Sequence, residues 1–245
     1  MKKAFTLAEV LIVLGVVGII AAMTLPSLIT NYKVKVLKTQ FKKMDSTIRQ
    51  ALLSASDEIG FLSDYYGSGG ADPNLVRPGC VALEARVPEL NEIWLKQFKG
   101  ATKVSYQELR KITNNHCYSV FGAKTPLWTY SCYGDGDTYI LADGSSVSPL
   151  FFSWEGRFTL PCTVSFMFET NGPAKGPNRL GYDIFKYESL EYTNNSLCNP
   201  NVNHSSNAYG CYYYARRDKN PVYDSKSYWD ILYKPSSYWK PNNSN

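Results

Sequence analysis

The chain has 245 residues, of which 44% are hydrophobic, and it carries a formal net charge of +5. This length accommodates one large or two small domains. So small a net charge is not typical of a chain that binds nucleic acid along its length. With two histidines and no phosphate-binding glycine loop, Gly-x-Ser-x-Gly motif or His-Glu-x-x-His motif, the sequence argues against an enzyme and suggests no cofactor.

An apolar run from Phe5 to Leu25 predicts a helix that crosses a membrane. Within it, Thr6, Glu9 and Thr24 are the residues that are neither apolar nor glycine. At 1.5 Å per residue this helix spans about 30 Å, which is one bilayer crossing. A carboxylate in hydrocarbon costs roughly 2.5–3.5 kcal/mol, so we expect Glu9 to have a partner.

Two ordinary interpretations of this run stay open. One is a secretory signal peptide cut after Ala22, and the other is a single-pass anchor that is never processed. Glu9 argues against the signal peptide because it interrupts the apolar core, and the sequence beyond the run continues in a helical pattern.

The start of the chain combines a basic leader, residues 1–4 (MKKA), with the motif FTLAE at residues 5–9 and an aliphatic helix. This combination resembles the prepilin signal of type IV pilins and type II secretion pseudopilins. The resemblance implies that a prepilin peptidase cuts between Ala4 and Phe5 and that the new amino group of Phe5 is methylated. It also implies that Glu9 pairs with the N-terminal amine of a neighbouring subunit during filament assembly.

The same resemblance sets expectations for shape, location and partners. It implies a helix bend at Pro26 and a single-pass precursor in the bacterial inner membrane, with an extracytoplasmic C-terminal head that later enters a periplasmic or cell-surface filament. Its partners would be other pilin or pseudopilin subunits, the prepilin peptidase and an inner-membrane assembly platform. The sequence departs from the family where Ala4 replaces the usual Gly and Ala8 replaces Ile or Val.

After the membrane and filament-core segment, residues 5–30, the apolar residues adopt helical spacing, so residues 31–60 are predicted to form an amphipathic half of the same helix. Gly60 is the natural stop, which gives one helix of about 80 Å. We expect its apolar stripe to pack on a sheet, with a free coiled coil as the alternative. The stripe consists of Leu37, Phe41, Met44, Ile48, Leu52, Ala55 and Ile59.

Six cysteines, all beyond the helix, indicate an oxidising compartment. None forms a Cys-x-x-Cys pair and histidines are scarce, so disulfides are favoured over a metal cluster. Buried free thiols are the alternative. Proximity along the chain favours Cys198–Cys211 and Cys117–Cys132, which leaves Cys80–Cys162.

An extracytoplasmic head conflicts with the positive-inside rule, because more lysines follow the apolar run than precede it. The cysteines decide the matter in favour of a head outside the cytoplasm. The lysines concerned are Lys33, Lys35, Lys38, Lys42 and Lys43.

Residues 61–188 are predicted to form the globular head. A Gly-, Ser- and Pro-rich stretch, residues 61–80, is a loop, and Pro88 opens a short helix that Gly100 ends. Leu90, Ile93 and Trp94 fall on one side of that helix and are expected in the core.

Strand patterns begin near residue 117. Residues 138–142 and 145–148 flank the turn Asp143-Gly144, and further strands are predicted at 162–169 and 182–187. Together they indicate an antiparallel sheet and an α+β, pilin-like fold. Residues 169–185 are similar to an Asn-Gly…Gly-Pro-Asn…Gly-x-Asp-x-Phe pattern found in some bacterial pilin-like proteins.

Aspartates near the first of these turns raise the question of calcium. Asp135, Asp137 and Asp143 lie close together in sequence, but the regular twelve-residue calcium loop is absent. Turn chemistry explains them better, so no metal site is predicted.

The final segment, residues 189–245, is rich in Tyr, Asn and Ser and has few aliphatic residues. We interpret it as a disulfide-tied extension over the head that is dispensable for folding, with Tyr228-Trp229 and Tyr238-Trp239 as a contact surface. This suggests an alternative to a filament subunit: a membrane-anchored extracytoplasmic protein that binds glycan or DNA and does not polymerise.

Overall fold

The computed structural model describes residues 6–60, 86–114, 116–118, 127–128, 132–133, 136–153, 163–188, 198, 209–222 and 225–233. The fold is α+β. A long N-terminal helix, α1 (Leu7–Ile59), packs its second half against an antiparallel sheet. The predicted loop at 61–80 lies outside the described residues.

Both ends of α1 are set by local chemistry. Thr6 caps the N-terminus, and at the C-terminus Gly60 adopts a φ of 78° and donates its backbone N–H to the carbonyl of Ser56 at 2.9 Å. The predicted stop at Gly60 is confirmed, since glycine takes this positive φ without a steric cost. The helix is continuous through Pro26.

The predicted apolar stripe of α1 is the helix side of the core. Six of its seven residues are buried, Leu52 is partly buried, and Ala51 joins them. Phe41 is central, with its ring 4.7 Å from Phe185 and 6.4 Å from Phe168. The stripe therefore packs on the sheet and is not a free coiled coil.

The remaining described elements follow in chain order. They are α2 (86–96), β1 (Thr102–Val104), α3 (Tyr106–Ile112), β2 (His116–Cys117), β3 (Leu127–Trp128), β4 (Thr138–Ile140), β5 (Ser146–Val147), β6 (Phe151–Ser153), β7 (Thr163–Glu169), β8 (Ile184–Glu188), α4 (Cys211–Arg217) and a 3₁₀ turn (Trp229–Ile231).

The sheet is built around β7. Strands β5 and β6 share one edge of β7 and β8 occupies the other, so that Glu169 lies opposite both Ser146 and Ile184. Strands β4 and β1 extend the sheet beyond β5, and every pairing is antiparallel. The four predicted strands are confirmed as β4, β5, β7 and β8, with ends shifted by one or two residues. Strands β2 and β3 form a separate two-stranded antiparallel sheet.

The short helix α2 packs over the sheet through the residues that its spacing predicts. Leu90 and Trp94 are fully buried and Ile93 is partly buried. The Trp94 ring lies 4.6 Å from Phe166, and its Nε1 donates to the carbonyl of Ser148 at 3.3 Å. The helix already includes residue 86, so it begins ahead of the predicted opener, Pro88.

The interpretation of the C-terminal segment as an extension with Tyr228-Trp229 as a contact surface is wrong for its described part, and its dispensability for folding stays a prediction. Tyr228, Trp229 and Leu232 are 0%, 1% and 0% exposed. The Trp229 ring lies 5.1 Å from Phe41, so the segment closes the core over α1. Counting aliphatic residues misled the prediction, because here aromatic side chains supply the buried apolar area.

Candidate functional site

The N-terminus of α1 holds Glu9, the assembly carboxylate that the sequence predicts. Thr6 Oγ1 accepts a hydrogen bond from the backbone N–H of Glu9 at 3.3 Å. In return, the backbone N–H and the hydroxyl of Thr6 donate to Glu9 Oε2 at 2.8 and 2.9 Å. This is a capping box, which satisfies backbone donors of the first helical turn. Its Thr-x-x-Glu signature was visible in the sequence and explains why Thr6 precedes Glu9 at this spacing.

The two bonds from Thr6 end on the same oxygen of Glu9. Oε2 takes both, and Oε1 meets no donor among the residues that the structure describes. One carboxylate can therefore cap its own helix and still accept a hydrogen bond from outside.

Beyond this cap, the side chains of the apolar half of α1 are exposed. In its most apolar window of eighteen residues no side chain is buried, and the helix is long and apolar enough to cross a membrane. Leu7 is 78% exposed and Met23 is 77% exposed, although both are fully apolar. An exposed apolar surface of this size calls for lipid or for other helices as its surroundings.

Of the other predicted N-terminal features, the structure describes Pro26 but not the expected cleavage pair. Ala4 and Phe5, the expected cleavage pair, lie outside the described residues. Pro26 lies within α1, and the carbonyl of Pro26 accepts a hydrogen bond from Thr30 Oγ1 at 2.9 Å. The bend at Pro26 stays a prediction.

Four of the six cysteines form the two disulfides favoured by proximity. Cys117 is bonded to Cys132 and Cys198 to Cys211, which confirms both pairings. Cys80 and Cys162 lie outside the described residues, so their pairing stays a prediction. The Cys198–Cys211 bridge anchors the start of α4, the helix whose Tyr212 enters the core.

The aspartates considered for calcium are engaged by lysines where they are described. Asp137 pairs with Lys103 at 2.7 Å and Asp143 with Lys43 at 2.8 Å. Asp143 Oδ1 also accepts the backbone N–H of Ser145 at 3.0 Å, which is the expected turn chemistry. Partial burial raises the pKa of Asp143, but the hydrogen bonds from Lys43 and Ser145 outweigh it and lower that pKa to about 2.

Across the described ranges, no group of three or more His, Cys, Asp and Glu residues is arranged to hold a metal ion. Asp135 lies outside those ranges.

The Asn-Gly…Gly-Pro-Asn…Gly-x-Asp pattern folds into a hydrogen-bonded loop between β7 and β8. Asp183 accepts the backbone N–H groups of Asn178 and Arg179 at 2.9 and 2.7 Å. Asn171 Nδ2 donates to the carbonyl of Gly176 at 2.6 Å, and Asn178 Nδ2 to that of Pro173 at 2.9 Å. The pattern thus fixes a loop conformation that places one polar wall beside α1.

Gly172 has a structural role in this loop. Its φ is 92°, and a Cβ built on it would lie 1.9 Å from the carbonyl oxygen of Gly144. Any side chain at residue 172 would therefore collide with the Asp143-Gly144 turn, so the loop and the turn are locked together.

Behind this loop lies a buried pair of acids. Glu169 and Asp183 are both 0% exposed, and the hydroxyl of Tyr133 donates to Glu169 Oε2 at 3.0 Å. Burial, followed by the nearby Asp183, raises the pKa of Glu169 well above its usual range. Burial also raises the pKa of Asp183, to about 6, against the lowering effect of its backbone hydrogen bonds.

Comparison with known proteins finds no matching family model, no matching curated protein and no matching solved structure. The function is therefore argued from the chain itself.

Proposed function

We propose that this protein is a structural subunit of a filament of the type IV pilin superfamily, either a pilin or a type II secretion pseudopilin. The observation that supports the proposal is the division of α1. Its first half is an exposed apolar helix that begins at Leu7, within the FTLAE motif, and its second half is the core helix of an α+β head.

This division suits a subunit that changes its surroundings. The apolar half lies in the bilayer in the precursor and packs among equivalent helices in the filament, so it remains covered in both states. The head faces outward in both. Such a subunit acts mechanically, and its own surfaces suffice without a catalytic group.

Glu9 supplies the negative charge for the proposed assembly step. A cut between Ala4 and Phe5 leaves Thr6 and Glu9 in the chain, so the capping box survives processing. The free amine of a neighbour's Phe5 then meets Glu9 Oε1, the oxygen that Thr6 leaves unused. Pairing removes the cost of an isolated carboxylate in an apolar bundle.

The first prediction concerns the mature N-terminus. We expect filament-associated protein to begin at Phe5 and to carry one methyl group on its amine. Intact-mass measurement and N-terminal sequencing test this. A chain that starts at Met23, or one that keeps Met1, would overturn the proposal.

The second prediction separates the two roles of Glu9. Glu9→Leu should insert in the membrane at least as well as the parent, because a carboxylate is removed from hydrocarbon, but should be depleted from sheared filaments about tenfold or more, the effect of roughly 1.4 kcal/mol. Glu9→Gln keeps one oxygen for the capping box but loses the charge and replaces the second oxygen, the one proposed to meet the amine, with an NH₂ donor, so it should share the defect.

The matched control is Thr6→Ala, which breaks the capping box and leaves the carboxylate. This variant should be incorporated better than either Glu9 variant. Filaments that contain Glu9→Gln at the parent level would disprove the pairing.

The membrane-anchored binding protein that does not polymerise receives less support. It relied on the paired aromatics of the C-terminal segment as a contact surface, yet Tyr228 and Trp229 are buried in the core. Tyr238 and Trp239 lie outside the described residues.

A further inference from the structure

Three exposed side chains, Lys35, Lys42 and Arg49, form a cationic row along the outer side of α1. They are seven residues apart, so each lies about 10.5 Å beyond the previous one along the helix axis. Seven residues make nearly two full turns, and the three side chains therefore share one side of the helix. That side lies roughly 130° round the helix from the buried stripe, so the cationic row points away from the sheet.

Helix α4 lies beside the cationic row and adds more positive charge. Tyr212 of α4 donates a hydrogen bond to Asp45 at 2.6 Å. Asp218, which follows α4, pairs with Lys38 at 2.6 Å. The row therefore belongs to a broader electropositive surface. The exposed cations that α4 and the residues after it contribute are Arg216, Arg217, Lys219 and Lys226.

Nearby acids do not neutralise the cationic row. Two aspartates are the ones that hold α4, and Asp45 also pairs with Arg49 at 3.3 Å, which leaves the arginine side chain 53% exposed. Asp230 lines a cleft together with Lys35, yet the two form no ion pair. Lys42 likewise forms no ion pair with any residue that the structure describes. The two lysines therefore face outward with their charges available to a partner.

The seven-residue spacing indicates a helix as that partner. On a helix that runs alongside α1, acids seven residues apart recur at the same interval of about 10.5 Å, so each can meet one cation of the row. Thr39 and Ser46 border the row, and their short exposed side chains let another helix approach closely. Charges at the edges of paired helices select partners in this way.

The α1 helix of a second copy of this chain cannot supply such a row of acids. Two parallel copies at the same height would bring their cationic rows together, and like charges repel. A copy shifted along the axis presents only Asp57 and Glu58, which lie in the last turn of α1 and reach one cation at a time. Glu58 is also engaged by Lys96 at 3.4 Å. The partner helix therefore belongs to a different chain.

We propose that the cationic row docks an acidic helix of a different subunit in the same filament. The proposal rests on the proposed function, because that function places the helices of neighbouring subunits parallel to α1. It makes this chain a subunit that alternates with others and polymerises poorly by itself. A membrane surface does not fit the row, since the row rises about 21 Å along α1 and only one end of it can meet lipid.

The probe is a charge-reversed form of the full-length chain, Lys35→Glu combined with Lys42→Glu, which carries acids at the seven-residue spacing. Arg49 is kept, because its loss would leave the buried Asp45 without its ion pair. Parent and variant are labelled with different isotopes and reconstituted together in phosphatidylcholine vesicles, and a carbodiimide then joins lysines to carboxylates in contact. We expect mixed dimers about fivefold above parent-only dimers, with cross-links between the cationic row and the introduced carboxylates. The excess should shrink at about 0.5 M salt.

The matched control reverses the same amount of charge elsewhere. It combines Lys99→Glu with Lys111→Glu, two exposed residues that lie outside α1. Its mixture with the parent should contain mixed dimers in the statistical proportion. Equal enrichment with the control would mean general attraction between oppositely charged heads, and no enrichment with the row variant would mean that the row does not recognise a helix. Either result overturns the proposal.

A polyanion tests the other occupant that a basic surface could take. A single-stranded DNA oligonucleotide, at the same concentration as the protein, should leave the mixed dimers unchanged. If the DNA abolishes them, the surface is a general polyanion site and the assignment of a helical partner fails.

Filament incorporation separates this proposal from the proposed function. The row variant should be cut before Phe5 as the parent is, but should be depleted from sheared filaments about fivefold or more, whereas the control variant enters at the parent level. A row variant that enters as well as the parent would refute the docking and leave the proposed function standing. A chain that keeps Met1, or one that alkaline carbonate releases from membranes, would instead disprove the proposed function.

Discussion

Three carboxylates show how strongly surroundings decide the role of a side chain in this chain. Glu9 is exposed and shares one oxygen with Thr6, which leaves the other for a partner. Asp143 lies at the protein surface and is held by Lys43. Glu169 is fully buried, and its Oε1 has no hydrogen-bond partner within the described part of the chain.

The third prediction concerns Glu169. Because its folded-state pKa is raised, the folded chain holds a proton that the unfolded chain releases above about pH 4.5. Stability should therefore fall as the pH rises above that value. Glu169→Gln keeps an acceptor for Tyr133 and is neutral without taking up a proton on folding, so we expect it to raise the free energy of unfolding at pH 8 by about 1–3 kcal/mol.

Unfolding of the detergent-solubilised chain at pH 5 and pH 8 measures this effect. The gain from Glu169→Gln should be larger at pH 8 than at pH 5. Glu92→Gln, at an exposed position on α2, is the control and should change neither value. A Glu169→Gln variant that is less stable than the parent at pH 8 would show that the carboxylate is ionised and needed.

Among the elements, the C-terminal segment makes contacts that only the folded structure could reveal. Its 3₁₀ turn places Trp229 against Phe41, and its helix α4 places Tyr212 within 2.6 Å of Asp45 by a hydrogen bond from the hydroxyl to Oδ1. Asp218 lies just after α4 and pairs with Lys38 at 2.6 Å. Apolar and polar contacts thus hold the described part of the segment against α1.

The fourth prediction tests this fastening. Trp229→Ala should destabilise the head by about 3–5 kcal/mol, because it empties a fully buried aromatic site. Tyr32→Ala, which truncates an aromatic side chain that is 68% exposed, should cost less than about 0.5 kcal/mol. Limited proteolysis and thermal unfolding provide the measurements. A Trp229→Ala head as resistant as the parent would restore the segment as a dispensable extension.

Local sequence predicted some elements and missed others for identifiable reasons. Helix α1 and strands β4, β5, β7 and β8 were predictable, because long apolar runs and the Asp143-Gly144 turn specify them locally. Strand β6 and helix α4 were not, because aromatic residues without a clear period suit several structures. Helix α3 had a usable signal: Ser105 and Glu108 form a capping box that the sequence displays as Ser-x-x-Glu.

At the scale of the whole molecule, the sequence pattern predicted the α+β fold and the packing of α1 on the sheet. It did not predict that the C-terminal segment closes the core. The stripe on α1 had to be covered, but periodicity cannot say which distant segment covers it. The loop between β7 and β8 was likewise only partly predictable. Its glycines and asparagines predicted a loop, whereas the cleft between this loop and α1 depends on how two distant elements meet.

The packing of the C-terminal segment over α1 also affects how the chain folds. Lys38 and Asp218 are separated by 180 positions, and Asp45 and Tyr212 by 167, so residues made much later complete the core side of α1. The head cannot finish folding before Asp218 has been made, because loop closure over such separations comes late. During that interval Leu37, Phe41 and Ile48 remain exposed. A chain cut short before Tyr212 would keep the apolar half of α1 and lose the residues that close its core, so we expect proteases to degrade its head.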